Sequence, residues 1–468
     1  MTTQRRWLKS YPDDINWELE HTAGAVPSLL DAAVAEFPDN PAIDFFGAKM
    51  SYRELSQQVA RFARGLQQIG VGPGVHVGLY LPNCPHYFIA FLGVLRAGGV
   101  VVNYSPLDAE RTLEHKIEDS QTDVMVTLDL EAFYPRMVSL MSRTRLRHLV
   151  VGELTEFCAQ ASDEQRNLLG PQAQVAWGAD CSRFAALLNN DGNYQNHPLD
   201  NPADALAVLQ YTGGTTGVPK GVVLSFASMY LAASNFLRLF TISASDRMLS
   251  CQSFSHIGER QFIEMTSLLG GQQVFFVERA ASFLEDCRRA RPTLFIASPR
   301  VWQDCMDACD RRWPARWLQT LLSLPVLGPL QGRRALAYLG LDQVRYAVSG
   351  AARLNPALQR RFAALGLQVV EAYGMTENCG YSHLGRPSRQ RPGYIGLPNP
   401  GVECRLGPQG ELLVRSKTLM LGYHKDPVRT AEVLDEDGFL HTGDAAEIDQ
   451  EGFLRLTGRL RDIFKTSR

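Results

Sequence analysis

Short apolar runs alternate with helical patterns over most of this 468-residue chain, and that alternation restricts the fold more than any other feature. Ser51 followed by Glu54 makes a capping box. Tyr52, Leu55, Val59, Phe62 and Leu66 then recur at three- and four-residue spacing, predicting a helix to about Gln68. Residues 75–81 (VHVGLYL) read as a buried strand, followed by a helix entered through Pro85 and a strand at 99–103 (GVVVN). Further strands are predicted at 123–128, 148–151, 205–211, 247–251, 273–277, 293–298, 344–350 and 367–374. Strands apolar on both faces must be covered on both, so the pattern predicts parallel sheets flanked by helices.

Residues 179–204, rich in Asn, Asp and Gly, read as a surface loop, and 386–401 as a second loop that closes the α/β part. Beyond it ECRL, GELLVRS, GYH and GFLRLTGR are closely spaced short strands with Gly turns, predicting a small antiparallel barrel or sheet. Lys and Arg number 47 against 49 Asp and Glu, a net charge of −2, which argues against a nucleic-acid surface because such binding rests on neutralising phosphates. No apolar stretch follows Arg5 and Arg6, so no signal peptide is expected. The apolar segment 88–102 is interrupted by Arg96, Gly98 and Gly99 and falls short of the roughly 20 residues that span a bilayer. Nine scattered cysteines, with only Cys305 and Cys309 close and without the company of a zinc site, read as reduced thiols of a cytoplasmic protein. Peripheral membrane contact and a homodimer stay open.

The sharpest local signal is YTGGTTGVPKGV, Tyr211 to Val222, directly after an apolar strand and before a helical pattern from about Ser228. Gly213, Gly214, Gly217 and Gly221 let backbone N–H groups turn towards an anion. Thr212, Thr215 and Thr216 add hydroxyls, and Lys220 adds a mobile positive charge. This is a phosphate cradle, although Pro219 before the lysine and Gly221 after it break the G-x-x-x-x-G-K-[ST] pattern.

That string resembles the phosphate-binding signature of the adenylate-forming (AMP-binding) superfamily. EAYGMTE (371–377), GELLVRSKTLMLGYHKDP (410–427), GFLHTGD (438–444) and TGRLRDIFK (457–465) agree with it in content and order. The opening WLKSYPDDI, the run LRAGGVVVNYSPL (95–107) and SHIGER (255–260) look most like long-chain fatty acyl-CoA synthetases. The resemblance implies an α/β fold, the large N-terminal domain of these enzymes over 1–460. Two αβαβα-type sheet subdomains would occupy about 1–385, a small distorted β-barrel about 386–458, and a hinge remnant 461–468. The α+β lid that follows in the family would be absent from a chain ending at Arg468, which implies binding of ATP and acyl-AMP with poor catalysis beside a full-length parent.

The implied reaction is ATP-dependent activation of a medium- to long-chain fatty acid to acyl-AMP, then transfer to CoA; loading of a carrier protein and a non-catalytic binding module are alternatives. In it Glu377 resembles the family's Mg²⁺-ligating glutamate, with Thr215 contributing to the metal from the loop, and Thr376 donates to the α-phosphate. Tyr373 offers a face to adenine, and Gly350, Ala351 and Gly374 give small residues where backbone approaches base and acyl group. Asp444 is similar to the aspartate that accepts from the ribose hydroxyls, and Arg459 fits a second ribose or phosphate contact. His256 matches the residue packed at the substrate's carboxylate end, and Glu259 with Arg260 reads as a structural ion pair or loop support. Ser225 and Phe226 replace a Thr-His pair common in the family, which removes a polar group beside the loop, and Arg461 stands at the hinge position.

Overall fold

The computed structural model describes residues 5–465 apart from 12, 14, 19–23, 159–169, 213–217 and 326, with the side chains of 463–465 left aside. Two large sheets carry the fold. In the first, strands Leu206–Thr212, Val100–Asn103, His76–Leu79, Thr122–Leu128, His148–Gly152 and Cys181–Arg183 lie parallel in that spatial order. In the second, Val369–Tyr373, Tyr346–Ser349, Leu294–Ala297, Arg247–Ser250, Gln273–Phe276 and Pro41–Phe45 are parallel neighbours. Each predicted strand lies within a residue or two of its expected place. The helix Tyr52–Gln68 starts at the Ser51/Glu54 capping box, and Pro85 opens the helix Pro85–Arg96.

Tertiary pairing departs from the sequence reading at four places. Residues 179–204, read as a surface loop, contain the edge strand Cys181–Arg183 and the short helix Phe184–Leu187. Pro41–Phe45 and Ala48–Ser51, not predicted, close one edge of the second sheet, so the N-terminal segment belongs to the sheet built mostly from later residues. Residues 386–401 are not wholly loop, because Leu397–Pro398 ends the opposite edge through His383–Leu384. The C-terminal strands Glu403–Leu406, Glu411–Arg415, Leu440–Ile448 and Leu454–Arg459 form a four-stranded antiparallel sheet. Gly422–Tyr423, expected among them, instead pairs with Lys220–Ser225 at the edge of the first sheet. A two-residue strand has too few hydrogen bonds to choose its own partner, so its place is set by the long-range edge available to it.

Candidate active site

Strands of both parallel sheets end at one cavity of about 830 Å³. Its wall includes Thr212 at the end of Leu206–Thr212, Gly350 and Ala351 just past Tyr346–Ser349, and Gly374, Thr376 and Glu377 just past Val369–Tyr373. The carboxyl edge of a parallel sheet is where such folds bind ligands, since loops and helix N-termini converge there. Lys220, His256 and Arg459 line the same space. Gly213, Gly214, Thr215, Thr216 and Gly217 lie outside the described residues. Their flanks are fixed: Thr212 is directly opposite Lys220 in an antiparallel pair. A strand, Lys220–Ser225, therefore intervenes before the helix Phe226–Leu237. Ser225 closes that helix with reciprocal bonds, its Oγ accepting from the Ser228 N–H and its own N–H donating to the Ser228 hydroxyl, both at 3.1 Å. The polar contact put in doubt by the Ser-Phe pair is thus a helix cap.

Pairing of Gly422–Tyr423 with Val222 and Val223 brings the Tyr423 ring between the lysine and the glutamate. Lys220 Nζ stands 4.8 Å from the ring centroid, and the Tyr423 hydroxyl donates to Glu377 Oε1 at 2.8 Å. The Glu377 carbonyl accepts from the Met420 N–H at 2.7 Å, which ties the short turn Thr376–Asn378 to the segment before Tyr423. Desolvation raises the Tyr423 phenol, and the Glu377 carboxylate beside it acts in the same direction, so Tyr423 remains a donor. Within GYHKDP nothing local marks this tyrosine for such a role. Its place depends on a pairing between residues 200 apart.

Gly374 is required by close approach, since a Cβ there would stand 2.2 Å from the Gly380 carbonyl oxygen. Ala351, with φ +69°, holds a left-handed conformation that costs an alanine energy and is found mostly where a site needs it. Tyr373 and Asp444 are not among the residues that line the cavity. Asp444 directly follows the Thr442–Gly443 wall; the Tyr373 hydroxyl donates to its Oδ2 at 2.7 Å and Arg459 Nε meets its Oδ1 at 2.9 Å. Burial raises the Asp444 carboxyl against the opposing pull of Tyr373 and Arg459. Glu411, not singled out from the sequence, braces the same wall. Its Oε1 accepts from the Gly443 N–H and its Oε2 faces His441 Nδ1, each at 2.9 Å.

His256 precedes the one-turn helix Ile257–Glu259 and opens onto the cavity. Desolvation, aided by the positive charge of Lys116, holds its imidazole below the usual range, so it is neutral at pH 7. Glu259 and Arg260 do not pair with one another. Glu259 accepts from the Ser250 hydroxyl at 2.7 Å, and burial pushes its carboxyl up to about 8. Arg260 is fully buried, paired with Glu264 on the π-helical turn Arg260–Met265, and lies over the Phe91 ring at 3.8 Å.

Among the described residues no cluster of three His, Cys, Asp or Glu could hold a metal. Glu377 nevertheless fits Mg²⁺, which is commonly held by one or two carboxylates together with substrate phosphates and water. The glutamate lines the cavity that Lys220 also faces, and its described hydrogen bond occupies Oε1.

These features define an α/β protein with an anion-gathering cavity at the carboxyl edges of two sheets. A family model described as AMP-binding enzyme matches residues 30–424, and the chain belongs to that family. Over 99% of its length it is 28% identical to a long-chain-fatty-acid–CoA ligase of Bacillus subtilis and 29% identical to one of Yersinia pestis. It covers 81% and 82% of those relatives. Solved structures share the fold. The anthranilate CoA ligase AuaEII in complex with anthranoyl-AMP superposes with a TM-score of 0.77 at 20% identity, over 95% of this chain and 79% of that one. The N-terminal domain of FACL13 from Mycobacterium tuberculosis gives 0.72 at 20%, over 93% of this chain and all of the other. Among the described residues no helix is long and apolar enough to cross a membrane.

Proposed function

We propose that this chain activates a medium- to long-chain fatty acid: a carboxylate oxygen attacks the α-phosphorus of ATP, pyrophosphate leaves, and the thiol of CoA then displaces AMP. The observation that carries the reading is the convergence of Lys220, Thr376, Glu377 and Arg459 on one cavity that small residues, Gly350, Ala351 and Gly374, also line. The first step brings two anions together. Unit charges 4 Å apart repel by about 1 kcal/mol in water and about 4 kcal/mol at an effective dielectric of 20, so cations and aligned donors must gather around the phosphates.

Lys220 supplies one such charge, and its approach to the Tyr423 ring limits where its ammonium can stand. Arg459 supplies another on the same cavity, where its contact with Asp444 leaves more than half of its side chain exposed to a ligand. Mg²⁺ bound at Glu377, with Thr215 as a second oxygen ligand, would add positive charge at the phosphates. Thr376 offers a hydroxyl to the α-phosphate. Asp444, held by Tyr373 and Arg459, is the acceptor for ribose hydroxyls, and Tyr373 backs the adenine pocket. Neutral His256 packs at the carboxylate end of the acid and takes no proton, since the nucleophile is already ionised.

ATP–pyrophosphate exchange across fatty, aryl and amino acids tests the reading. Exchange is expected with medium- and long-chain fatty acids, accompanied by AMP and acyl-CoA when CoA is added. Exchange confined to amino acids, or ADP as the nucleotide product, overturns it.

A further inference from the structure

Three segments that carry cavity residues are tied to one helix that does not itself line the cavity, Glu110–Ser120. Tyr211, directly before Thr212, donates its hydroxyl to Asp119 Oδ2 at 2.5 Å. Pro219, directly before Lys220, has its carbonyl oxygen 3.3 Å from His115 Nε2. Just after Tyr423, His424 Nε2 and Lys425 Nζ reach the Asp119 carbonyl oxygen at 3.1 and 2.7 Å.

His115 and Asp119 are four residues apart, so they stand on one face of the helix, a turn from each other. That face meets both described flanks of the glycine-threonine string, one through an imidazole nitrogen and the other through a carboxylate. The Asp119 carbonyl belongs to the last turn, where helical carbonyls lack partners within the helix. The Lys425 ammonium that meets it stands where the negative end of the helix dipole favours a cation. Tyr211 is buried, and desolvation together with the neighbouring Asp119 carboxylate raises its phenol, so it stays a donor. Its ring passes Gly221, the residue opposite it in the strand pair, where a Cβ would stand 3.2 Å from both Tyr211 Cζ and His424 Cβ. Glycine at that position leaves room for both side chains.

We propose that Asp119 and His115 are positioning residues for ATP: without touching the nucleotide, they fasten the strand ends that hold Thr212 and Lys220 at its phosphates. The inference rests on the reading that Lys220 faces nucleotide phosphate. Titration calorimetry with Mg-ATP and with AMP tests it without acid or CoA, so failure of the acyl-activating reaction in exchange assays leaves this outcome unchanged. ATP offers three phosphates and AMP one. A fault confined to the phosphate flanks therefore weakens ATP and spares AMP, whereas a general loss of structure weakens both. Tyr211→Phe, which removes a single oxygen, and Asp119→Ala are each expected to raise the Kd for ATP at least about tenfold, with that for AMP within about twofold of wild type. The double variant is expected to bind ATP no more weakly than Asp119→Ala, since both changes remove one bond. Asp119→Asn keeps an oxygen that accepts from Tyr211 and is expected to recover most of the affinity. His115→Leu is expected to weaken ATP about threefold and spare AMP. Should Asp119→Ala fail to fold, Tyr211→Phe decides alone. Unchanged ATP affinity in Tyr211→Phe or His115→Leu, equal weakening of ATP and AMP, additive losses in the double variant, or Asp119→Asn as weak as Asp119→Ala overturns the proposal. Wild-type protein that binds no ATP overturns it together with the reading on which it rests.

Discussion

His256 and Arg260 are four residues apart in one short string, yet the first opens onto the cavity and the second is sealed beneath it. Around the cavity, charges are left with room to take a ligand: Arg459 keeps most of its side chain exposed, and Lys220 has a ring rather than a carboxylate as its described neighbour. Beneath it the polar groups turn to one another, with Arg260 Nε and Glu264 Oε1 left without a described hydrogen bond. Arg260 meets Glu264 and donates to Asn103 at 3.0 Å, Asn103 donates to Gln210 at 2.6 Å, and Gln210 reaches the Ser255 carbonyl. Gln210 lies two residues before Thr212, so this network supports the strand that brings Thr212 to the cavity. Open charges serve binding, and closed ones fix the position from which they act.

The sharpest way to break that contrast is to open the closed network. Arg260→Met leaves Glu264 buried without its cation and is expected to lower unfolding stability by about 3–5 kcal/mol in denaturant titration, with Arg260→Met/Glu264→Leu regaining most of it. Charges of the open group behave oppositely. Lys220→Ala is expected to slow ATP–pyrophosphate exchange by roughly 10²–10³ with little change in thermal midpoint. A loss of stability there as large as that for Arg260→Met would remove the distinction.

Glu259 lies on the border, lining the cavity while buried, and pH reads its state. The folded protein keeps its proton up to about pH 8, whereas the unfolded chain releases it near the ordinary value of about 4.3. Between those values the folded state binds the extra proton, so this group's contribution to stability is full below the lower value and is lost as pH rises to the upper one. Thermal midpoints measured between pH 5 and 8 are expected to fall less in Glu259→Gln than in wild type; parallel curves would reject the assignment. The smallest effect belongs to the cap behind the loop. Ser225→Ala should cost about 1 kcal/mol by loss of the Ser225–Ser228 pair, read in the same denaturant titration.

The strands and principal helices were legible in the chain because their signals are local. Apolar periodicity, a capping box and a Pro at a helix start act over a few residues, and the Tyr52–Gln68 helix follows from them directly. Lys220 was legible in the glycine-threonine string itself, whereas Thr376, Glu377, Asp444 and Arg459 were marked only by the resemblance to the adenylate-forming superfamily. Neither could show that Glu259 and Arg260, adjacent in sequence, turn to different partners, because the π-turn that separates them is fixed by buried contacts with Ser250, Phe91 and Asn103.

What the sequence determined alone is the alternation of elements and the chemical character of the cavity's residues, since propensity, capping and charge belong to each residue wherever it lies. Which strand joins which edge, and hence that Tyr423 stands between Lys220 and Glu377, was decided only by the folded chain. A strand of two residues carries almost no information about its partner. The partner comes from a sheet edge some 200 residues earlier, and that meeting exists only once both sheets are packed.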